Sequence, residues 1–517
     1  MENNSSNELL KYYTQIKQRI DLNIDMNTQT IIAQTKLTFL LKNEKDDLNS
    51  IFPNFLYLHL NAENIFINNI KIFKYNENKI KNKKEKSISF NEYKNTEILE
   101  FKNSSPVCYY KNYLDFLFKN IEELDSYKNI KRIEWEIRQK GNLIIKIPRK
   151  YFLKENKSIK INKQIIESEE NIADLLIKKI KIIINYKLIE KNIGIIFQEF
   201  NKNISNIICY TPNFYYNTQY WVPCIYNLDI QIIWSLYLYI PNEYISYSSC
   251  LLNQIIKDNS GKKLIIYKNI IKTTARNIGF IILNENYYFS NINNNFIIIG
   301  NKNKSKYIEK SLINNKLIKT IYDFYQNFFG NNINNNYSTA IIFVPYLLFN
   351  NPFQNFNKFL KLKEDNYFSF IKFPYLYILP EKFINNENIP EISKLQLKMI
   401  SKLFITNYIG GLIIEKTYSD FWIINCLENY LSHLFLNKLY NNNYIKIKLY
   451  KWLLKLKKEC KNGKETLPLY TNNYSNPVEI QLNPIFYLKS KILFFILESK
   501  VSKKYLQEVI KDIINKR

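Results

Sequence analysis

Histidine is nearly absent. The 517 residues include two, His59 and His433. They stand too far apart for any HExxH, in which two histidines one helical turn apart hold zinc and the glutamate between them moves a proton. Cys426, seven residues before His433, would lie about two helical turns away, too far for that histidine to serve as its base, so nucleophilic catalysis is not expected. The six cysteines, Cys108, Cys209, Cys224, Cys250, Cys426 and Cys460, contain no CxxC pair. They are too few and scattered for a disulfide framework, so a reducing compartment is expected. No apolar run reaches the roughly 18 residues that span a bilayer. The opening MENNSSNELL has neither the basic start nor the apolar middle of a secretory leader. A membrane-embedded or conventionally secreted protein is therefore not expected.

Arginine (six residues), alanine (five) and glycine (nine) are also scarce, while asparagine reaches 75. Residues with GC-rich codons are starved, which is the composition an AT-rich genome imposes. That matters for the net charge of +27, from 73 Lys and Arg against 46 acidic residues. Lysine is then a default surface filler, although any such surplus raises affinity for polyanions. Two lysine clusters stand out. Lys79, Lys81, Lys83, Lys84 and Lys86 read as an exposed loop. Between residues 446 and 464, Lys451, Lys455, Lys457 and Lys458 interleave with Leu449, Trp452, Leu453 and Leu456. This spacing reads as an amphipathic helix with a solvated basic face over a packed Trp/Leu stripe. Those four lysines are the candidate DNA-contacting residues.

With 46% hydrophobic residues and a mean hydropathy of −0.30, the chain can bury a large core. Its first part alternates with period two. Ile20, Leu22, Ile24 and Met26, a turn at Asn27–Thr28, then Ala33, Thr35, Leu37 and Phe39 predict a hairpin. Further strands are expected over 142–147, 179–186, 231–240 and 262–270, with Pro148, Gly194, Pro241 and Gly261 near their ends. Past residue 290 the period changes. Asparagine-rich loops are expected at 291–295 and 331–336. Helical spacing of Leu317, Ile321, Phe324, Tyr325 and Phe328 stops at Gly330. A buried strand follows at 339–344, then helices over 392–408, 419–439 and 445–458 and a final pair over 487–517. The layout is α+β, with a β-rich domain at 1–289 and a mainly helical domain at 290–517.

Several segments, in order, resemble the gluzincin aminopeptidases of the M1 type. They are the hairpin at 18–39, Tyr220-Trp-Val-Pro-Cys224 followed by Trp234, the helix ending Phe-Phe-Gly330, residues 402–412, and Tyr418-Ser-Asp-Phe-Trp422. The resemblance implies a β-sheet saddle followed by a degenerate thermolysin-like domain. Laid on Gly410, it puts Lys402 and Thr406 at the two zinc-histidine positions, Leu403 at the general base and Asn425 at the third ligand. The substrate-amine loop falls near 370–374, which lacks its acidic residue. Tyr487 falls at the transition-state tyrosine. The metal-free branch it most resembles is the family of TFIID subunit 2, the second TBP-associated factor, through Trp221-Val-Pro-Cys, Trp234, Ser419-Asp-x-Trp422 and residues 497–502. Members continue past the peptidase-like domain, whereas this sequence reaches Arg517.

That resemblance implies a non-enzymatic scaffold subunit in RNA polymerase II pre-initiation complex assembly, located in the nucleus. Its implied partners are the TATA-binding protein and other TFIID subunits, with core-promoter DNA along the basic faces. No metal, cofactor, small-molecule substrate or membrane partner is implied. The alternatives are an active M1 aminopeptidase with substitute ligands and a cytoplasmic M1-like pseudoenzyme that binds peptides or proteins. Bland roles are expected for the other singled-out residues. Trp221 and Trp234 read as core anchors, Ser419 as a helix N-cap with Asp420 in the first turn, and Cys224 and Cys426 as small apolar residues. His433 reads as a helix-face residue, and Glu167, Glu169 and Glu170 as a charged loop.

Overall fold

The computed structural model describes residues 7–42, 53–74, 101–103, 141–153, 176–199, 207–213, 217–286, 288–292, 296–308, 317–329, 338–345, 371–381, 390–440, 443–461 and 484–515. The lysine run at 79–86, the acidic cluster at 167–170, Cys108, Gly330 and the asparagine loop at 331–336 lie outside the described residues.

The front of the chain is built on the expected hairpin. Strands Tyr13–Asp25 and Thr30–Leu41 pair antiparallel, with Ile20, Leu22, Ile24, Leu37 and Phe39 fully buried. They form the centre of a seven-stranded sheet in the order 251–257, 262–268, 233–241, 13–25, 30–41, 179–188, 65–74. Tyr13–Asp25 runs parallel to Ile233–Pro241, a pairing across more than 200 residues that no local pattern announces. A three-stranded sheet orders Phe55–Leu60, Leu143–Pro148 and Phe101–Asn103. Trp221 and Trp234 are buried at 0% and 2% exposure. Trp234 donates its indole N–H to the Thr273 carbonyl at 3.0 Å, and Trp221 meets Phe280 edge-on at 5.7 Å. Both are core anchors, as expected.

The next layer is a four-stranded sheet in the order 244–248, 280–284, 207–210, 196–199. Its apolar face shares a core with a five-stranded sheet ordered 288–292, 296–301, 339–344, 376–380, 371–373. The strands Phe296–Asn301, Thr339–Val344 and Leu376–Pro380 are parallel neighbours. They are almost wholly buried and almost wholly apolar, as strands covered on both faces must be. The asparagine loop expected at 291–295 is corrected in part. Asn291 and Ile292 close a hairpin strand, Tyr288–Ile292, paired with Phe296–Asn301, because backbone pairing there overrides asparagine's weak strand propensity.

Eight helices occur among the described residues: α1 (Glu8–Tyr12), α2 (Ser305–Ile308), α3 (Leu317–Phe329), α4 (Pro390–Thr406), α5 (Phe421–Tyr440), α6 (Asn443–Lys461), α7 (Pro484–Val501) and α8 (Lys503–Asn515). The last six form the helical back of the chain around α5. Between Ile424 and Leu436, α5 is buried almost all round, and the burial takes in the polar Asn425, Asn429, Ser432 and His433. α8 is the opposite case: only Leu506, Ile510 and Ile514, one stripe at four-residue spacing, enter the core. After α4 ends at Thr406 the chain turns through Gly410-Gly411. Gly410 adopts φ +97°, and a Cβ on Gly411 would sit 2.7 Å from the Thr406 carbonyl, so both positions require glycine.

Burial also sets an alkaline limit. It pushes the thiols of Cys209, Cys224, Cys250 and Cys426 above their ordinary range, Cys250 to about 12. The phenols of Tyr13, Tyr186, Tyr267, Tyr325 and Tyr377 are raised by the same cause. Below about pH 8 these groups are protonated whether the chain is folded or not. Above it the unfolded chain releases protons that the folded chain keeps, so stability falls as pH rises. Lys17, Lys36, Lys181 and Lys263 are shifted down by burial and work in the opposite sense, but they are fewer and less enclosed. Thermal melts should show a falling midpoint from pH 8.5 to 10.5, and a flat or rising midpoint contradicts this.

Candidate functional site

α4 and α5 lie side by side, joined by the turn at Gly410-Gly411. This turn aims the last two turns of α4 at the first two of α5, and it brings together the residues that sequence reasoning placed at a zinc site. Lys402 is 3% exposed and Asn425 9%. Lys402 Nζ donates to Asn429 Oδ1 at 2.6 Å. Asn429 Nδ2 donates back to Asn425, to its carbonyl at 2.7 Å and to its Oδ1 at 3.0 Å. Asn425 Nδ2 then donates to Ser490 Oγ on α7 at 2.5 Å. Cys426 Sγ lies 2.8 Å from the Ser490 carbonyl, so α7 is tied to α5 at two adjacent positions.

The neighbouring positions are equally engaged. Thr406 Oγ1 donates to the Lys402 carbonyl one turn back, at 3.1 Å. Leu403 is fully buried in the helical core. Near the substrate-amine position, Lys372 on the strand Ile371–Phe373 puts its ammonium 2.6 Å from Glu428 of α5. Tyr487 lies on α7. Asp420 organises the entry to α5 by accepting from the Thr417 N–H at 3.1 Å and its hydroxyl at 2.8 Å. His433, expected on a helix face, is fully buried with its ring 4.9 Å from Trp452. The structure thus collects Lys402, Leu403, Thr406 and Asn425 in one place, and adds Asn429 and Ser490, which sequence reasoning missed. Asn429 was within reach, since it follows Asn425 by four residues on one helical face. Ser490 comes from a distant helix and had no local signal.

The candidate DNA-contacting lysines share α6. Lys451, Lys457 and Lys458 are exposed and Lys455 is half-buried. Of the expected packed stripe, Trp452 enters the core and Leu449 and Leu456 pack against it, whereas Leu453 is half-exposed, and Ile447, Tyr450 and Leu454 face solvent too. Among these, only Trp452 lies in line with a gap between α5 and α7, where His433 and Phe495 receive it.

Compared with solved structures, the whole chain superposes on 64% of yeast LTA4 hydrolase in complex with Bestatin, with a TM-score of 0.61 and 10% sequence identity. The chain has the M1 aminopeptidase fold. In sequence, it is 28% identical over 152 residues to transcription initiation factor TFIID subunit 2 of Schizosaccharomyces pombe (strain 972 / ATCC 24843). That stretch is 29% of this chain and 12% of the fission-yeast protein, so the chain matches a small part of that relative's length. No protein-family model matches the chain. The resemblance read from the sequence, to a TFIID subunit 2 with an M1-like fold, is thereby supported from both sides.

An M1 fold implies a catalytic zinc, and the residues that the sequence resemblance lays on its position do not fit one. Lys402 Nζ acts as a hydrogen-bond donor, Leu403 has no polar atom, and the Thr406 hydroxyl is spent on the backbone. The Asn425 amide is spent on Asn429 and Ser490. Zinc is held by imidazole, thiolate or carboxylate. Among the described residues no three His, Cys, Asp or Glu side chains converge on one point.

Proposed function

We propose that the chain is a non-enzymatic scaffold subunit of a TFIID-type transcription initiation complex, acting in the nucleus in pre-initiation complex assembly. The observation that carries this reading is the lysine–asparagine–asparagine–serine chain at the zinc position. It welds three helices together where a peptidase would keep an open, metal-bearing cleft. The similarity to TFIID subunit 2 supplies the assembly. A scaffold gains from such a filling. A buried polar chain with its donors and acceptors matched fixes one arrangement of the helices, and so holds the outer surfaces in register for partners. We take residues 1–289 and 290–517 as the two units that present those surfaces.

Affinity purification of the tagged chain from nuclear extract tests the proposal. The expected result is co-recovery of the TATA-binding protein and other TFIID subunits in stoichiometric amount. Recovery of the chain alone, or only with cytoplasmic proteins, contradicts it and favours a pseudoenzyme outside transcription.

A further inference from the structure

α6 has two apolar faces, and the core uses one. Trp452 is inserted between α5 and α7 and is 7% exposed. On the opposite face Ile447, Tyr450 and Leu454 are 56%, 64% and 49% exposed. Their i, i+3, i+7 spacing lines them into one stripe about 10 Å long. By the same periodicity Lys451 and Lys458 border one side of the stripe and Lys457 the other, all three exposed. The helix as a whole carries seven lysines against the single acid Glu459.

Single exposed apolar residues are ordinary, but a continuous stripe rimmed by one sign of charge is the mark of a contact surface. A DNA duplex accounts for only half of it. Phosphates would use the lysines and leave three large apolar side chains with nothing to cover them. An anionic lipid surface fits no better. Interfacial helices bury a broad apolar half-face, whereas here the exposed Lys457 lies between Leu453 and Tyr450 and breaks the apolar surface, and Lys451 and Lys458 close its other side. A second amphipathic helix matches both features: its apolar side chains fill a narrow seam while its flanking carboxylates reach the lysines.

We propose that this face of α6 docks an acidic amphipathic helix of a partner protein. The partner's apolar side chains at i, i+3 or i+4, and i+7 lie along Ile447, Tyr450 and Leu454. Its glutamates or aspartates on the two flanks pair with Lys451, Lys457 and Lys458. The inference rests on the geometry of α6 and goes beyond the transcription reading, whose failure would leave it standing.

The test uses the full chain and a fluorescent synthetic helix of about 18 residues, long enough to be helical when bound, with leucines on one face and glutamates on both flanks. Fluorescence anisotropy should show saturable binding that weakens with added salt. It should weaken about tenfold or more for Tyr450→Ser/Leu454→Ser, and again for Lys451→Glu/Lys458→Glu. A control helix with serines in place of leucines should not bind. Thermal melts of Tyr450→Ser/Leu454→Ser should match the parent chain, because the replaced side chains face water. A midpoint lowered by several degrees means that the chain itself covers the stripe, and overturns the proposal. So does failure of the acidic helix to bind, or binding that the apolar substitutions leave unchanged. A promoter duplex or phosphatidylserine vesicles that bind through the same residues, where the acidic helix does not, overturn it in favour of nucleic acid or membrane.

Discussion

Asn429→Leu lowers the stability of the helical part of the chain by about 3 kcal/mol, the cost of leaving buried polar groups unmatched. Asn429 accepts from Lys402 Nζ and donates to both oxygens of Asn425, so the substitution breaks the middle link of the chain across α4, α5 and α7. The mate to this variant is Lys402→Met/Asn429→Leu, which removes the ammonium together with its acceptor and leaves an apolar pair of similar volume. It should be more stable than Asn429→Leu alone, because an apolar replacement of both partners costs less than stranding one. Denaturant titrations followed by tryptophan fluorescence read both, since Trp452 reports on this core. A loss below about 1 kcal/mol for Asn429→Leu would show that the polar chain is solvated and holds nothing together.

Glu415→Ala has an effect of similar or larger size, about 3–5 kcal/mol, because it leaves an enclosed guanidinium without its carboxylate. The Glu415 side chain is fully buried and Arg276 is 12% exposed. Arg276 Nη2 donates to Glu415 Oε2 at 2.9 Å, and Nη1 donates to Oε1. Beside them Asn277 Nδ2 donates to the Gly410 carbonyl at 2.9 Å. These contacts join the turn after the seven-stranded sheet to the α4–α5 turn, so the β-rich front is fixed directly against the connection between these two helices. Replacing both partners, Arg276→Met with Glu415→Leu, should recover most of the loss. A single transition that splits into two in Glu415→Ala would show the front and back unfolding apart, and an unchanged melt would contradict the role assigned to this pair.

The parts of the fold that were legible in the sequence are those with one wet face. The hairpin of Ile20, Leu22 and Ile24 with Leu37 and Phe39 alternates because one side packs and the other is more open. Phe280–Asn284 and Leu376–Pro380 gave no such signal, since strands buried on both faces show no period. Leu251–Lys257 was silent for the opposite reason: nearly all of it is exposed. At the site, the M1 resemblance located Lys402, Leu403, Thr406 and Asn425, and their chemistry already argued against zinc. What fills the site instead depends on α7 arriving beside α5, a contact between residues 65 apart. The basic helix was read as a solvated surface over a packed stripe. Trp452, Leu449 and Leu456 do pack, but the second, exposed stripe of Ile447, Tyr450 and Leu454 went unread, because periodicity alone cannot say which of two apolar stripes meets the core.

We propose that the α4–α5 position which the resemblance matches to the M1 zinc site is a hydrogen-bonded filling with no place for a catalytic metal. Zinc per mole of the purified chain tests this most directly, measured by atomic absorption alongside hydrolysis of aminoacyl-coumarins. The account predicts zinc far below one equivalent and no turnover. One equivalent of zinc that survives dialysis, accompanied by hydrolysis that a chelator abolishes, would contradict it.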